Sequence, residues 1–260
     1  APVDNRGARR GYEGKQGCLH LGSHGRIVIA MTEQHDDHHH DHHQDDHQHG
    51  PTTEWFTAEF WDERYGSKPA IWSGNPNPRL VEQVSLLAPG RALDVGSGEG
   101  ADAIWLAQRG WQVTAVDVST VALQRAAASA DGVGADVAGR ITWQQADVLT
   151  WDPAPDTFDL ITAQFMHLPA DILAALHLRL AAAVRPGGTL LIVGHHPRDL
   201  DTTLRRPGSG ALLFTAEAIA ERLDPAQWEI VVAEAQAREV KDADGNPATA
   251  HDAVLAARRR

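Results

Sequence analysis

The chain has 260 residues, of which 42% are hydrophobic and 22% charged, with a formal net charge of -12. That length predicts one large domain or two small ones, and the apolar content is enough for a buried core, which excludes wholesale disorder. The negative balance repels phosphate backbones and argues against nucleic acid as a partner. No apolar run approaches the roughly 18–20 residues that cross a bilayer, so a membrane partner is not expected either.

Residues 1–30 are polar and rich in Gly and Arg, with little periodicity. Arg26–Met31 is too short for the apolar core of a signal peptide, which predicts a cytoplasmic protein. Met31 is a candidate natural start, which would make 1–30 a disordered leader foreign to the native chain. The single cysteine, Cys18, lies in this leader. No internal disulfide can form, and the folded part has neither a cysteine nucleophile nor a thiolate metal cluster. Residues 33–49 (EQHDDHHHDHHQDDHQH) hold eight of the 15 histidines, six acids and no basic residue. A tract of that kind builds no core, so 31–52 is expected to be a disordered tail. Imidazole suits Ni, Zn and Cu, so weak metal binding is expected at His38, His39, His40, His42 and His43. A site with fixed geometry is not. The tail is either an inert solvated segment or an accessory metal binder, and no metal site is expected in the folded domain.

Orderly patterning begins at Thr53 and runs to residue 260. TEWFTAEFWDERYGS predicts a helix with Phe56, Phe60 and Trp61 on one side, ended by Gly66. Residues 67–78 hold three prolines and form a turn-rich loop. Residues 79–88 form an amphipathic helix stopped by Pro89–Gly90. Strands and helices then alternate. Strands are expected at 92–96, 112–118, 141–148, 158–165 and 189–196. Helices are expected at 100–109, from Ser119 as cap to about 130, and after Pro169 up to Pro186–Gly187–Gly188. A helix near 215–223 follows. Residues 228–240 and 249–259, around a turn at 242–247, read as an antiparallel hairpin rather than another βαβ unit. Alternating β and α elements predict a doubly wound α/β domain, a mostly parallel sheet with helices on both faces.

The segment richest in chemistry is LDVGSGEGADAIWLAQRG, residues 93–110. A strand ends at Gly96, turns through Ser97, Gly98, Glu99 and Gly100, and a helix starts. Glycine is needed where backbone takes positive φ or comes close to a ligand, and the first βα turn of such a sheet lies at the switch point where ligands bind. Gly96-x-Gly98-x-x-Ala101 also satisfies the dinucleotide fingerprint. The surrounding acids favour a nucleoside without a pyrophosphate. Asp94 and Glu99 would repel a pyrophosphate but suit a cationic amino-acid end. Asp117 ends the second strand, where a carboxylate can accept both ribose hydroxyls. Asp147 ends the third, where it can accept from an adenine amine.

On these residues the chain resembles the class I, seven-strand S-adenosylmethionine-dependent methyltransferases. The resemblance rests on Asp94-x-Gly96-x-Gly98-x-Gly100, Asp117, Ala146-Asp147-Val148, Phe158-Asp159-Leu160 and Arg185-Pro186-Gly187-Gly188, and spans nearly all of 53–260. It implies strand order 3-2-1-4-5-7-6 with strand seven antiparallel. It also implies S-adenosylmethionine as cofactor, with Gly96–Gly98 at its methionine portion, Asp117 and Val118 at its ribose, and Asp147 with the Val148 amide at its adenine. Gln164, near the end of the fourth strand, is expected to contact the cofactor as well. FWDERYGSKPAIW (60–72) more loosely resembles the lid of the tellurite-resistance and thiopurine S-methyltransferases, which would put Trp61, Tyr65 and Trp72 over the cofactor.

The resemblance implies transfer of a methyl group to a small-molecule acceptor by in-line displacement. A thiol or metalloid oxyanion then reacts without a strong base, whereas a hydroxyl or a protonated ring nitrogen of a heterocycle needs one. His167, after the fourth strand, and His195, ending the fifth, are the candidate catalytic bases. Neighbours on a strand point to opposite faces, so only one of His195 and His196 should face the pocket. Loop 197–214 is expected to cover the acceptor. Two other readings compete. An NAD(P)-dependent oxidoreductase would be expected to carry residues such as a Tyr-x-x-x-Lys pair, but neither Tyr12 nor Tyr65 has Lys four residues on. A non-enzymatic metal-binding role through the histidine tract is the other.

Overall fold

A computed structural model describes residues 57–166, 168–204 and 212–260. The expectations for the leader, the histidine tract, His167 and residues 205–211 lie outside the described residues. Seven strands form one sheet in the order β3-β2-β1-β4-β5-β7-β6. They are β1 (Arg91–Val95), β2 (Gln112–Asp117), β3 (Ile141–Gln145), β4 (Phe158–Gln164), β5 (Val184–His195), β6 (Trp228–Lys241) and β7 (Pro247–Arg259). The first five pair in parallel, and β7 runs antiparallel to both β5 and β6. Among the described residues, no helix is long and apolar enough to cross a membrane.

The central strands are buried on both faces, so they read as continuous apolar runs. Leu93 and Val95 point to a core shared with Ile161, Leu190 and Ile192, under α6 (Ala170–Ala183) and α7 (Ala216–Ala220). Ala92, Leu160, Leu191 and Val193 point the other way. There they meet α2 (Pro78–Val84) and α3 (Ala101–Gln108). That second face ends, at the C-terminal edge of the sheet, in the cavity described below.

Local chemistry sets the helix starts. The Thr57 hydroxyl accepts from the Phe60 N–H to open α1 (Ala58–Gly66), and Asn77 accepts from the Arg79 N–H to open α2. Ser119 caps α4 (Thr120–Val133) by accepting from the Ala122 N–H. The Asp62 carboxylate on α1 reaches this same helix start, accepting from the Ser119 hydroxyl at 2.5 Å and the Thr120 hydroxyl at 3.0 Å. Burial alone would raise its pKa, but these hydrogen bonds and that from the Val121 N–H outweigh it, and the group is held below its ordinary value. α1 is thereby tied to the α/β body rather than left as a loose appendage.

Three of the differences from the sequence expectation have a clear local cause. α2 ends at Val84 rather than 88, leaving Leu86 exposed beyond it. A one-turn helix, α5 (Ala135–Ala138), precedes β3 with too few apolar positions to give a period. The Arg185–Gly188 turn does not precede the fifth strand but bulges inside it. Phe158 pairs with Val184 and Leu160 with Thr189, so the extra β5 residues loop out at Gly187, whose φ is +81°. Asp159 fixes the bulge by pairing with Arg185 and accepting from the Arg91 N–H at 2.8 Å.

Candidate active site

The turn after β1 forms the floor of a cavity of 510 Å³, inside the range of roughly 300–1,000 Å³ usual for small-molecule sites. Gly96, Ser97, Gly98, Glu99 and Gly100 all line it. Gly98 has φ +51°, and a Cβ there would lie 2.8 Å from the Tyr65 hydroxyl and 3.2 Å from Trp72 Nε1. Only glycine lets the lid approach this backbone. Gly98→Ala is expected to cost about 1–2 kcal/mol of left-handed strain and to displace the lid. Urea unfolding checks the first effect and quenching of the Trp72 environment the second; unaltered stability would contradict it.

Acids surround this floor. Asp117, at the end of β2, accepts from the Gly98 N–H at 2.8 Å and the Ser119 N–H at 2.9 Å. Burial pushes its pKa up despite those bonds. Asp94 lies beneath the floor, 2% exposed. Burial, then the charges of Asp102 and Asp117, hold its pKa well above the carboxylate range. Its Oδ2 and the buried Ser97 hydroxyl have no hydrogen-bond partner among the described residues. Asp102, in the first turn of α3, is raised to about 6 by burial, although it accepts from the Asn77 N–H at 2.6 Å. Asp147 and Val148 line the cavity after β3, and Asp147 accepts from the Leu149 N–H at 2.9 Å.

One wall of the cavity, at the position expected of a lid, is α1 with the loop that follows. Trp61, Tyr65 and Trp72 line the cavity, and Trp72 Nε1 donates to the Tyr65 hydroxyl at 3.0 Å. Burial, with the nearby Asp117 charge, raises the Tyr65 phenol further above its ordinary value, so it stays neutral. Glu99 pins this loop. Its Oε2 accepts from the Ile71 and Trp72 N–H groups, each at 3.0 Å, and its Oε1 pairs with Arg125 at 2.9 Å. Gln164 is similarly engaged. It accepts from Asn77 Nδ2 at 3.0 Å and donates to the Thr162 hydroxyl. Both side chains line the cavity while also bracing its walls.

At the opposite end stand residues of β4 to β7. His195 lines the cavity, 2% exposed, its ring 4.7 Å from that of Phe165. Phe165 itself has φ +53°, an unusual conformation for a bulky residue and one that collects at functional sites. His196 is not in the lining, and its Nδ1 accepts from the Arg198 N–H at 3.0 Å to start a short 3-10 turn, Pro197–Asp201. Burial, then Arg198, lowers its pKa. Arg238 and Asp252 from the hairpin complete this end.

Comparison with known proteins bears on this arrangement. Residues 92–188 match a family model described as a methyltransferase domain. A structure solved in work on conversion of a disulfide bond into a thioacetal group during echinomycin biosynthesis superposes with a TM-score of 0.60 at 25% identity. It covers 78% of this chain and 92% of that one. Residues 92–188 therefore form a methyltransferase domain. TehB from Haemophilus influenzae shares the fold, with a TM-score of 0.57 at 19% identity over 78% of this chain and 67% of its own. In sequence, an uncharacterized methyltransferase of Mycobacterium tuberculosis is 34% identical over 124 residues, 47% of this chain and 59% of the relative. The ribosomal RNA small subunit methyltransferase C of Alcanivorax borkumensis is 31% identical, over 45% of this chain and 36% of its own length. The chain therefore spans only part of the relatives it matches in sequence.

The methyltransferase family implies S-adenosylmethionine, and the residues present fit it. The unpartnered Oδ2 of Asp94 and hydroxyl of Ser97 offer hydrogen-bonding capacity beside the turn, and Gly98 presents backbone that no Cβ screens. Asp117 uses two of its roughly four acceptor positions on backbone N–H groups, which leaves capacity for ribose hydroxyls. Of the residues singled out in the sequence, the structure brings Tyr65, Trp72, Gly96–Gly100, Asp117, Val118, Asp147, Val148, Gln164 and His195 to one cavity. Asp94 lies outside the lining, behind the methyltransferase domain's glycine turn. Asn77, Asp102, Phe165, Arg238 and Asp252 also line the cavity but do not stand out in the sequence as site residues. Of these only Asp102 had an available signal, an acid in the first turn of the helix after the glycine loop.

Proposed function

We propose that the protein transfers a methyl group from S-adenosylmethionine to a small-molecule acceptor. The observation that carries this reading is Asp117, buried at the end of β2 with its carboxylate against the Gly98 N–H on the cavity floor. The donor supplies an activated methyl. The acceptor's lone pair forms the new bond to carbon as the carbon–sulfur bond breaks, and that electron pair returns to sulfur to leave S-adenosylhomocysteine.

The chain's own residues then align, enclose and balance charge. Asp117 and Val118 hold the ribose, Asp147 and the Val148 amide the adenine, and Asp94 with Ser97 the methionine end. The lid of Trp61, Tyr65 and Trp72 excludes water. Alignment of this kind accounts for roughly 7–11 kcal/mol in favourable cases. His195 takes the acceptor's proton where the acceptor carries one, and His167 is the second candidate for that role. A cavity of 510 Å³ and a net charge of -12 favour a small acceptor over a polyanion. A thiol, heterocycle, hydroxyl or metalloid suits it, and a cytoplasmic location suits the chain's composition. The histidine tract serves as an accessory tail.

The raised acids give the test a pH signature. Asp102, at about 6, and Asp94 bind protons in the folded protein that they would lose if unfolded. Their protonated forms stabilise the fold below the ordinary carboxylate range, and the Asp102 contribution is lost as pH rises through about 6. A ligand ammonium beside them favours ionisation and so releases protons. Titration calorimetry with S-adenosylhomocysteine is expected to show affinity rising between pH 5 and 7, with proton release near pH 6. No saturable binding, or affinity that falls over that range, would contradict the reading.

A further inference from the structure

The far end of the cavity presents a guanidinium, that of Arg238, where its floor presents carboxylates. Asp252 on β7 pairs with His195 in the β5 ladder and with Gln236 in the β6 ladder, so these three side chains share one face, with Arg238 two residues on from Gln236. Asp252 is 2% exposed and holds two guanidinium groups. Arg79 Nε donates to it at 3.2 Å, and Arg238 Nε at 3.0 Å and 3.1 Å to its two oxygens. Glu82, 3.4 Å from Arg79, balances the second arginine, so the cluster as a whole is neutral and the charge available to the cavity is that of the Arg238 guanidinium.

The two arginines are not equivalent. Arg79 spends its terminal nitrogens on the Gln236 and Ala237 carbonyls and on Glu82. Arg238 uses only Nε, and its two terminal nitrogens have no partner among the described residues. Its side chain is 27% exposed and lines the cavity. A guanidinium held through Nε by a buried carboxylate presents its end-on N–H pair in a fixed plane, the geometry that receives a second carboxylate through two hydrogen bonds.

We propose that Arg238, oriented by Asp252, is a specificity-determining residue that binds a carboxylate on the methyl acceptor. The proposal rests on the methyltransferase reading for the word acceptor, but the site is independent of the donor floor. A cationic donor sits over Asp94, Asp102 and Asp117, and an anionic acceptor enters at the end lined by the hairpin. Uncharged acceptors leave the Arg238 fork unpaired and are disfavoured.

The test uses the full chain and matched probes, acetate, benzoate and 2-naphthoate against acetamide, benzamide and 2-naphthamide, each titrated with and without saturating S-adenosylhomocysteine. At least one carboxylate is expected to bind tenfold or more tightly than its amide. Arg238→Gln is expected to remove that preference without moving the dissociation constant of S-adenosylhomocysteine. Asp252 keeps Arg79 as partner in that variant, so the fold should persist, and Arg238→Lys should retain part of the preference through charge alone. Equal binding of carboxylates and amides, no carboxylate binding at all, or a preference unchanged in Arg238→Gln overturns the proposal. Failure of S-adenosylhomocysteine to bind, with the carboxylate preference intact, sinks the donor assignment and leaves the anion site standing.

Discussion

Asp117→Ala is expected to weaken S-adenosylhomocysteine binding by about 1–3 kcal/mol, roughly a 5- to 150-fold rise in dissociation constant. The carboxylate is 8% exposed, so water replaces it poorly. Its loss leaves the ribose hydroxyls without their acceptor and frees the Gly98 and Ser119 N–H groups at the same time. Burial opposes that effect in the free protein, because an acid whose pKa is raised costs stability when ionised. At neutral pH the variant should therefore lose far more affinity than stability. Calorimetry beside urea unfolding separates the two, and a wild-type dissociation constant would remove Asp117 from the donor site.

The second large effect is on folding. Asp252→Ala leaves the guanidinium groups of Arg79 and Arg238 without their shared counter-ion. Removing one member of a buried pair typically costs about 3–5 kcal/mol. The arginine side chains are 14% and 27% exposed, so some water reaches them and about 3 kcal/mol is expected. Urea unfolding measures it. A loss under about 1 kcal/mol would mean that the cluster is solvated like an ordinary surface pair.

The glycine-turn half of the cavity was legible in the sequence because its pattern is local. Glycines at a strand-to-helix turn and an acid at or just after the ends of the next two strands occupy fixed offsets, and a parallel sheet aligns those ends without further information. The hairpin of β6 and β7 was legible for a similar reason, two alternating runs around one turn. What stayed hidden depends on register between distant segments. Arg79 and Asp252 are 173 residues apart in sequence and meet only because α2 lies over the β5–β7 junction. Glu99 shows the limit from the other side. Its place in the glycine loop suggests a ligand contact, yet both its oxygens hold Arg125 and the lid backbone, contacts that no local spacing encodes. The bulge at Arg185–Gly188 is similar, since Pro-Gly-Gly predicts a break but not that the strand resumes on both sides of it.

The central claim is that the glycine turn and the acids around it hold S-adenosylmethionine rather than a dinucleotide. Parallel calorimetric titrations of the full chain with S-adenosylhomocysteine and with NAD test it most directly. Saturable binding of S-adenosylhomocysteine and no heat from NAD is the predicted result. Binding of NAD with none of S-adenosylhomocysteine would contradict it.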